Sequence, residues 1–150
     1  MAKKKSKDRS GDVLSEIQAI QSLYERILDK TYSSLGISNE QFNVLDILAT
    51  SETGLALNQI QLLLANQTSN TTRLVDKLQS KKLLIKKNNP TDKRRLLITI
   101  TPQGKEVWSS AIELVTPLNK KFKKGFNSKA SKVLLTELKS FRKLLKALDL

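Results

Sequence analysis

The stretch 70–104, NTTRLVDKLQSKKLLIKKNNPTDKRRLLITITPQG, constrains the fold more than any other part of the chain. Its apolar residues change period along the way. Leu74, Val75 and Leu78 fall one, three or four apart, the spacing of one helical face. Leu96, Ile98 and Ile100 instead alternate with Leu97 and Thr99, as a half-buried strand requires. The pattern predicts a helix over about 69–81 and two strands at 83–87 and 96–100. The polar loop between the strands holds Asn88, Asn89, Pro90 and Asp92, then Lys93, Arg94 and Arg95. It is longer than a two-residue turn, so the hairpin tip should project. A helix beside a cation-tipped hairpin can grip duplex DNA twice, the helix in the major groove and the hairpin at the backbone or minor groove.

The flanking sequence reads as helices. Residues 1–11 are a basic tail expected to be disordered, and Asp12 can cap a first helix running to Gly36. Ser38 with Gln41 three residues on forms a capping box for a second helix, with Phe42, Leu45, Ile47 and Leu48 on its buried face. A short third helix covers about 56–64, with Ile60, Leu63 and Leu64 inward. Thr101 then caps a fifth helix whose first residue is Pro102. Ser128 caps a sixth, in which Leu134, Leu138, Phe141, Leu145 and Leu148 are spaced 4, 3, 4 and 3 apart. Such near-heptad stripes suit a helix–helix interface. Together with the first helix they could build the pad of an intertwined homodimer. The expected class is mainly α with a small β-hairpin. The helix 12–36 and the helices 102–150 serve dimerisation and flank a DNA-binding region of helices and hairpin, 37–101, in one intertwined domain.

Composition narrows the chemistry. The 150 residues include no Cys and no His, which excludes disulfides and thiolate zinc sites and removes the commonest general base and metal ligand. Carboxylate pairs such as Glu16 with Glu25 or Asp76 with Asp92 form no motif, and there is no Gly-rich phosphate loop. An enzyme is therefore not expected, nor a cofactor or a metal. No apolar run is long enough for a transmembrane helix and no signal core follows the basic start, so a cytoplasmic protein is expected. The net charge of +13 is uneven. Residues 13–72 carry two cations against six carboxylates, whereas 73–95 carry nine against two. The charge concentrates where phosphate contacts would be needed.

Individual side chains suggest a division of labour. Asn70 can pair with adenine and Arg73 with guanine or a phosphate. Gln67, Ser69, Thr71 and Thr72 are short donors suited to phosphates or thymine methyls. Lys77 faces outward with them, and Lys86, Lys87, Lys93 and Arg95 are candidate phosphate contacts. Asn70 and Gln67 serve equally well as helix caps, Thr72 as a packing residue, and each lysine as a solvated surface group.

These segments resemble the MarR family of winged-helix regulators. QFNVLDIL (Gln41–Leu48) is similar to the helix after the family's first dimerisation helix, and LNQIQLLLA (Leu57–Ala65) to the first helix of its helix-turn-helix. TTRLVDKLQSKKLLIKK (Thr71–Lys87) resembles the recognition helix and first wing strand, and DKRRLLITITPQGKEV (Asp92–Val107) the wing signature. The likeness spans about 13–145. It implies that Thr72 and Arg73 are the family's Thr-Arg pair, and that Asp92 holds the turn or orients Arg94, which enters a narrow minor groove. It implies a dimer on a pseudo-palindromic operator, acting as a repressor. It further implies a small phenolic or anionic effector bound where the dimer pad meets the winged region, near Tyr24, Tyr32, Phe42 and Trp108, although each of these also reads as an ordinary core residue. Lys82 stands where the family usually has Gly, so a left-handed helix end there would carry a cost.

Two other functions fit the composition. One is an architectural DNA- or RNA-binding protein that does not choose sequences, suggested by the basic tail and the lysine-rich last helix. The other is a protein of anionic membrane surfaces, which the narrow heptad stripe of 128–150 disfavours.

Overall fold

The computed structural model describes residues 9–64, 70–88 and 96–148. Along the chain run α1 (Ser10–Tyr32), a 3-10 turn (Ser33–Leu35), α2 (Asn39–Ala49), α3 (Leu57–Leu63), α4 (Thr71–Ser80), β1 (Leu84–Asn88), β2 (Leu96–Ile100), α5 (Pro102–Gly125) and α6 (Ser128–Leu148). By packing the chain divides into two units, residues 1–114 and 115–150, with the division inside α5.

In the first unit the core lies where α2, α3, α4 and the hairpin converge. Val44, Leu45 and Leu48 of α2, Ile60 of α3, Val75 and Leu78 of α4, Leu84 of β1 and Ile98 of β2 are all closed to solvent. The strands pair antiparallel with Leu84 opposite Ile100 and Lys86 opposite Ile98, so Leu84, Lys86, Ile98 and Ile100 share the inward face. A further bridge joins Leu55 to Ile98 through reciprocal backbone hydrogen bonds of 3.0 and 2.8 Å. Gly54 makes that approach feasible. At φ 87°, its absent Cβ would lie 2.4 Å from Thr99 Cγ2 and 2.8 Å from the Ile98 carbonyl.

Most helix ends follow the sequence signals. Ser38 Oγ accepts the Gln41 N–H, and Gln41 Oε1 accepts the Ser38 N–H, both at 3.2 Å, completing the capping box. Gly36, at φ 68°, ends the 3-10 turn in the left-handed region. Thr101 Oγ1 accepts the Gly104 N–H at 3.0 Å, with Pro102 opening α5.

Three expectations need correction. The first helix starts at Ser10 rather than being capped by Asp12, which sits in the first turn, where its charge suits the helix dipole. Leu63 is 61% exposed, so only Ile60 and Leu64 of the three expected inward residues are buried. The cap of α6 is Asn127, not Ser128: Asn127 Oδ1 accepts the N–H of Lys129 at 3.0 Å and of Ala130 at 3.3 Å. In the second unit, α6 buries no residue, and Leu134, Leu138, Leu145 and Leu148 are all exposed.

Candidate nucleic-acid interface

Helix α4 is anchored by one face and open on the other. Leu74, Val75 and Leu78 are buried, while Thr72, Arg73, Asp76, Lys77 and Gln79 face solvent. Asn70 occupies the N-cap position, and its side chain makes no capping hydrogen bond. Thr71 is different. It is 2% exposed and turned into the core, which removes its side chain from the candidate contacts.

The C-terminal end of α4 is held unusually firmly. Lys82 adopts φ 61°. Its N–H reaches the Gln79 carbonyl at 2.9 Å, and the Leu83 N–H reaches Leu78 at 3.0 Å. This is a Schellman motif with lysine in the place of glycine, and the two leucines it joins, Leu78 and Leu83, are both buried. Thr101 bonds the same junction: its N–H donates to the Leu83 carbonyl at 3.1 Å and its Oγ1 to the Lys82 carbonyl at 2.8 Å. At Gly104 a Cβ would lie 2.0 Å from the Leu83 carbonyl oxygen. The Thr-x-x-Gly of the wing signature thus clamps the start of α5 onto the helix-to-strand turn. On the other side, Lys81 Nζ donates to Gln41 Oε1 at 3.0 Å and to the Gly36 carbonyl, tying the end of α4 to the α2 capping box.

The wing cations separate into two kinds. Lys87 is exposed on β1. Lys86, on the inward face, places its ammonium 2.6 Å from Asp76 Oδ1 on α4, so it is not the free phosphate contact anticipated for it. Gln67, Ser69, Asp92, Lys93, Arg94 and Arg95 lie outside the described residues.

The aromatic candidates are dispersed. Tyr32 and Phe42 are buried and stacked at 4.6 Å, which fits the reading of both as core residues. Burial pushes the Tyr32 phenol up to about 12, with Tyr24 and then Asp46 adding to the effect. Tyr24 is exposed, and Trp108 is half-buried with its indole N–H donating to Asp46 Oδ1 at 2.9 Å. A larger groove, of about 760 Å³, runs beside α4 and is lined in part by Gly36, Gln41, Asn70, Arg73, Lys77 and Lys81. Lys81 and Asp46 had no local sequence signal, because their partners are set by tertiary packing, whereas Asn127 has one as a favoured N-cap residue one position before Ser128.

A helix packed on α2 and α3, open to solvent on its far side and followed by a two-stranded antiparallel hairpin, defines a winged helix-turn-helix protein. The model of the MarR family matches residues 35–95. The fold is shared with a MarR-like transcription regulator from Bacillus cereus, at TM-score 0.81 and 22% identity over 91% of this chain and 98% of that one. It is shared with mutant MarR from E. coli complexed with operator DNA, at TM-score 0.76 and 24% identity over 87% and 93%. The S. aureus MepR–DNA complex gives 0.80 and 19% over 89% and 97%. A search of curated proteins returns no match. The family model covers 35–95, and the likeness of these structures along the rest of the chain is one of fold.

Proposed function

We propose that the chain is a homodimeric, sequence-specific DNA-binding transcription regulator, and that it acts as a repressor in the cytoplasm. The observation that carries this reading is the open face of α4. Asn70, Thr72, Arg73 and Lys77 are presented together on a helix whose opposite face is locked into the core. The two DNA-bound relatives share the fold that presents it. The helix enters the major groove, where Asn70 and Arg73 read base edges and Thr72 and Lys77 meet the backbone. Lys87, Lys93 and Arg95 add phosphate contacts, and Arg94, oriented by Asp92, enters the minor groove. The exposed apolar residues of α1 (Val13, Ile20, Leu23, Ile27) and of α6 are covered by a second copy. No described helix is long and apolar enough to cross a membrane.

A small-molecule effector releases the DNA. The CouR structure from Rhodococcus jostii, bound to p-coumaroyl-CoA, shares the fold at TM-score 0.75 and 19% identity, which supports a ligand-responsive reading. Selection of bound duplexes from a random pool tests the proposal. A pseudo-palindromic consensus bound more than ~10³-fold tighter than random DNA is expected. Enrichment without a consensus would favour the architectural, non-specific alternative.

A further inference from the structure

The exposed face of α4 carries one carboxylate, Asp76, three residues after Arg73 and next to Lys77. On a surface addressed to a polyanion such a group is repelled. It also does little for the fold: its side chain is 56% exposed, and an exposed ion pair contributes weakly to stability. Its partner is more informative. Lys86 lies on the inward face of the hairpin, opposite Ile98, with its side chain only 26% exposed and its ammonium 2.6 Å from Asp76 Oδ1. To reach a phosphate, Lys86 would have to leave that carboxylate, whatever the DNA sequence.

We propose that Asp76 sequesters Lys86 and so withholds one cation per subunit from the DNA backbone, which sets the affinity and salt dependence of binding to any duplex. The proposal rests on the DNA-binding reading above. Phosphate neutralisation is common to random and operator duplexes, and the base contacts of an operator are added to it. Withholding one cation therefore weakens binding to every duplex by a similar factor and lowers its salt dependence.

The test measures the salt dependence of binding to a random duplex and to the selected duplex for wild type, Asp76→Asn, Lys86→Gln and the double variant. Asp76→Asn is expected to bind random and selected DNA alike several-fold tighter, with log K against log salt steeper by about 0.9 per subunit. Lys86→Gln alone leaves the slope unchanged, and adding it to Asp76→Asn restores the wild-type slope. Asp76→Ser repeats the measurement should the asparagine variant not fold. A wild-type slope in the folded Asp76 variants, or a slope shallower by about 0.9 in Lys86→Gln alone, overturns the proposal. Wild-type protein that binds no duplex would instead overturn the DNA-binding reading itself.

Discussion

Lys82 holds a backbone conformation that a side chain disfavours, and the surrounding hydrogen bonds keep it there. The left-handed region costs a non-glycine residue roughly 1–2 kcal/mol, partly offset because glycine gives up more freedom on folding. Lys82→Gly is therefore expected to stabilise the protein by about 0.5–1 kcal/mol in denaturant unfolding. Lys82→Ala, with the same φ to satisfy, should show no such gain. Gly104 is the reverse case. With a Cβ 2.0 Å from a backbone carbonyl oxygen, Gly104→Ala must push α5 off the helix-to-strand turn. It should cost about 3 kcal/mol or more, measured the same way. Tyr32 gives a pH prediction. Its phenol ionises more readily in the unfolded chain, near 10, than in the fold, near 12. Its contribution to stability is thus complete below about pH 10 and is lost as pH rises from about 10 towards 12. Tyr32→Phe should flatten that part of the alkaline unfolding curve, and an unchanged curve would show that Tyr32 does not carry it.

At the scale of elements, the helix and hairpin are expected to divide their work. Arg94→Ala should weaken binding to all duplexes alike, whereas Asn70→Ala should relax preference at one base position, costing about 1–3 kcal/mol there. Equal losses on selected and random DNA for both variants would contradict the division. These elements were legible in the sequence because each has a local signature. Leu74, Val75 and Leu78 mark one face of α4, Ser38 and Gln41 are a capping box, and the alternation around Ile98 marks β2. What was not legible depends on neighbours distant in sequence. Thr71 reads as a free donor, but the inward tilt of the first turn of α4 buries it. Lys86 looks like any wing lysine until the register places it opposite Ile98 and against Asp76. Asp46 meets Trp108 across sixty-two positions, and no spacing rule spans that distance.

At the scale of the whole molecule, the proposal needs two copies. A chain that leaves the leucines of α6 and the apolar residues of α1 in solvent has surface to bury against a partner. Leu138→Lys should leave each chain folded, since such exposed positions change stability by only about 0.5 kcal/mol, yet convert a dimer to monomers in sedimentation and abolish tight operator binding. A variant that remains dimeric would move the interface elsewhere. The uneven charge is consistent with this picture, with the acidic 13–72 stretch largely before the recognition helix and the cations of 73–95 within the helix and hairpin. The most direct measurement is a backbone-cleavage footprint on the selected duplex. Two protected patches on one face of the DNA, centred about 10–10.5 base pairs apart, are predicted for paired recognition helices in successive major grooves. Uniform protection along the duplex, or a single unpaired patch, would contradict it.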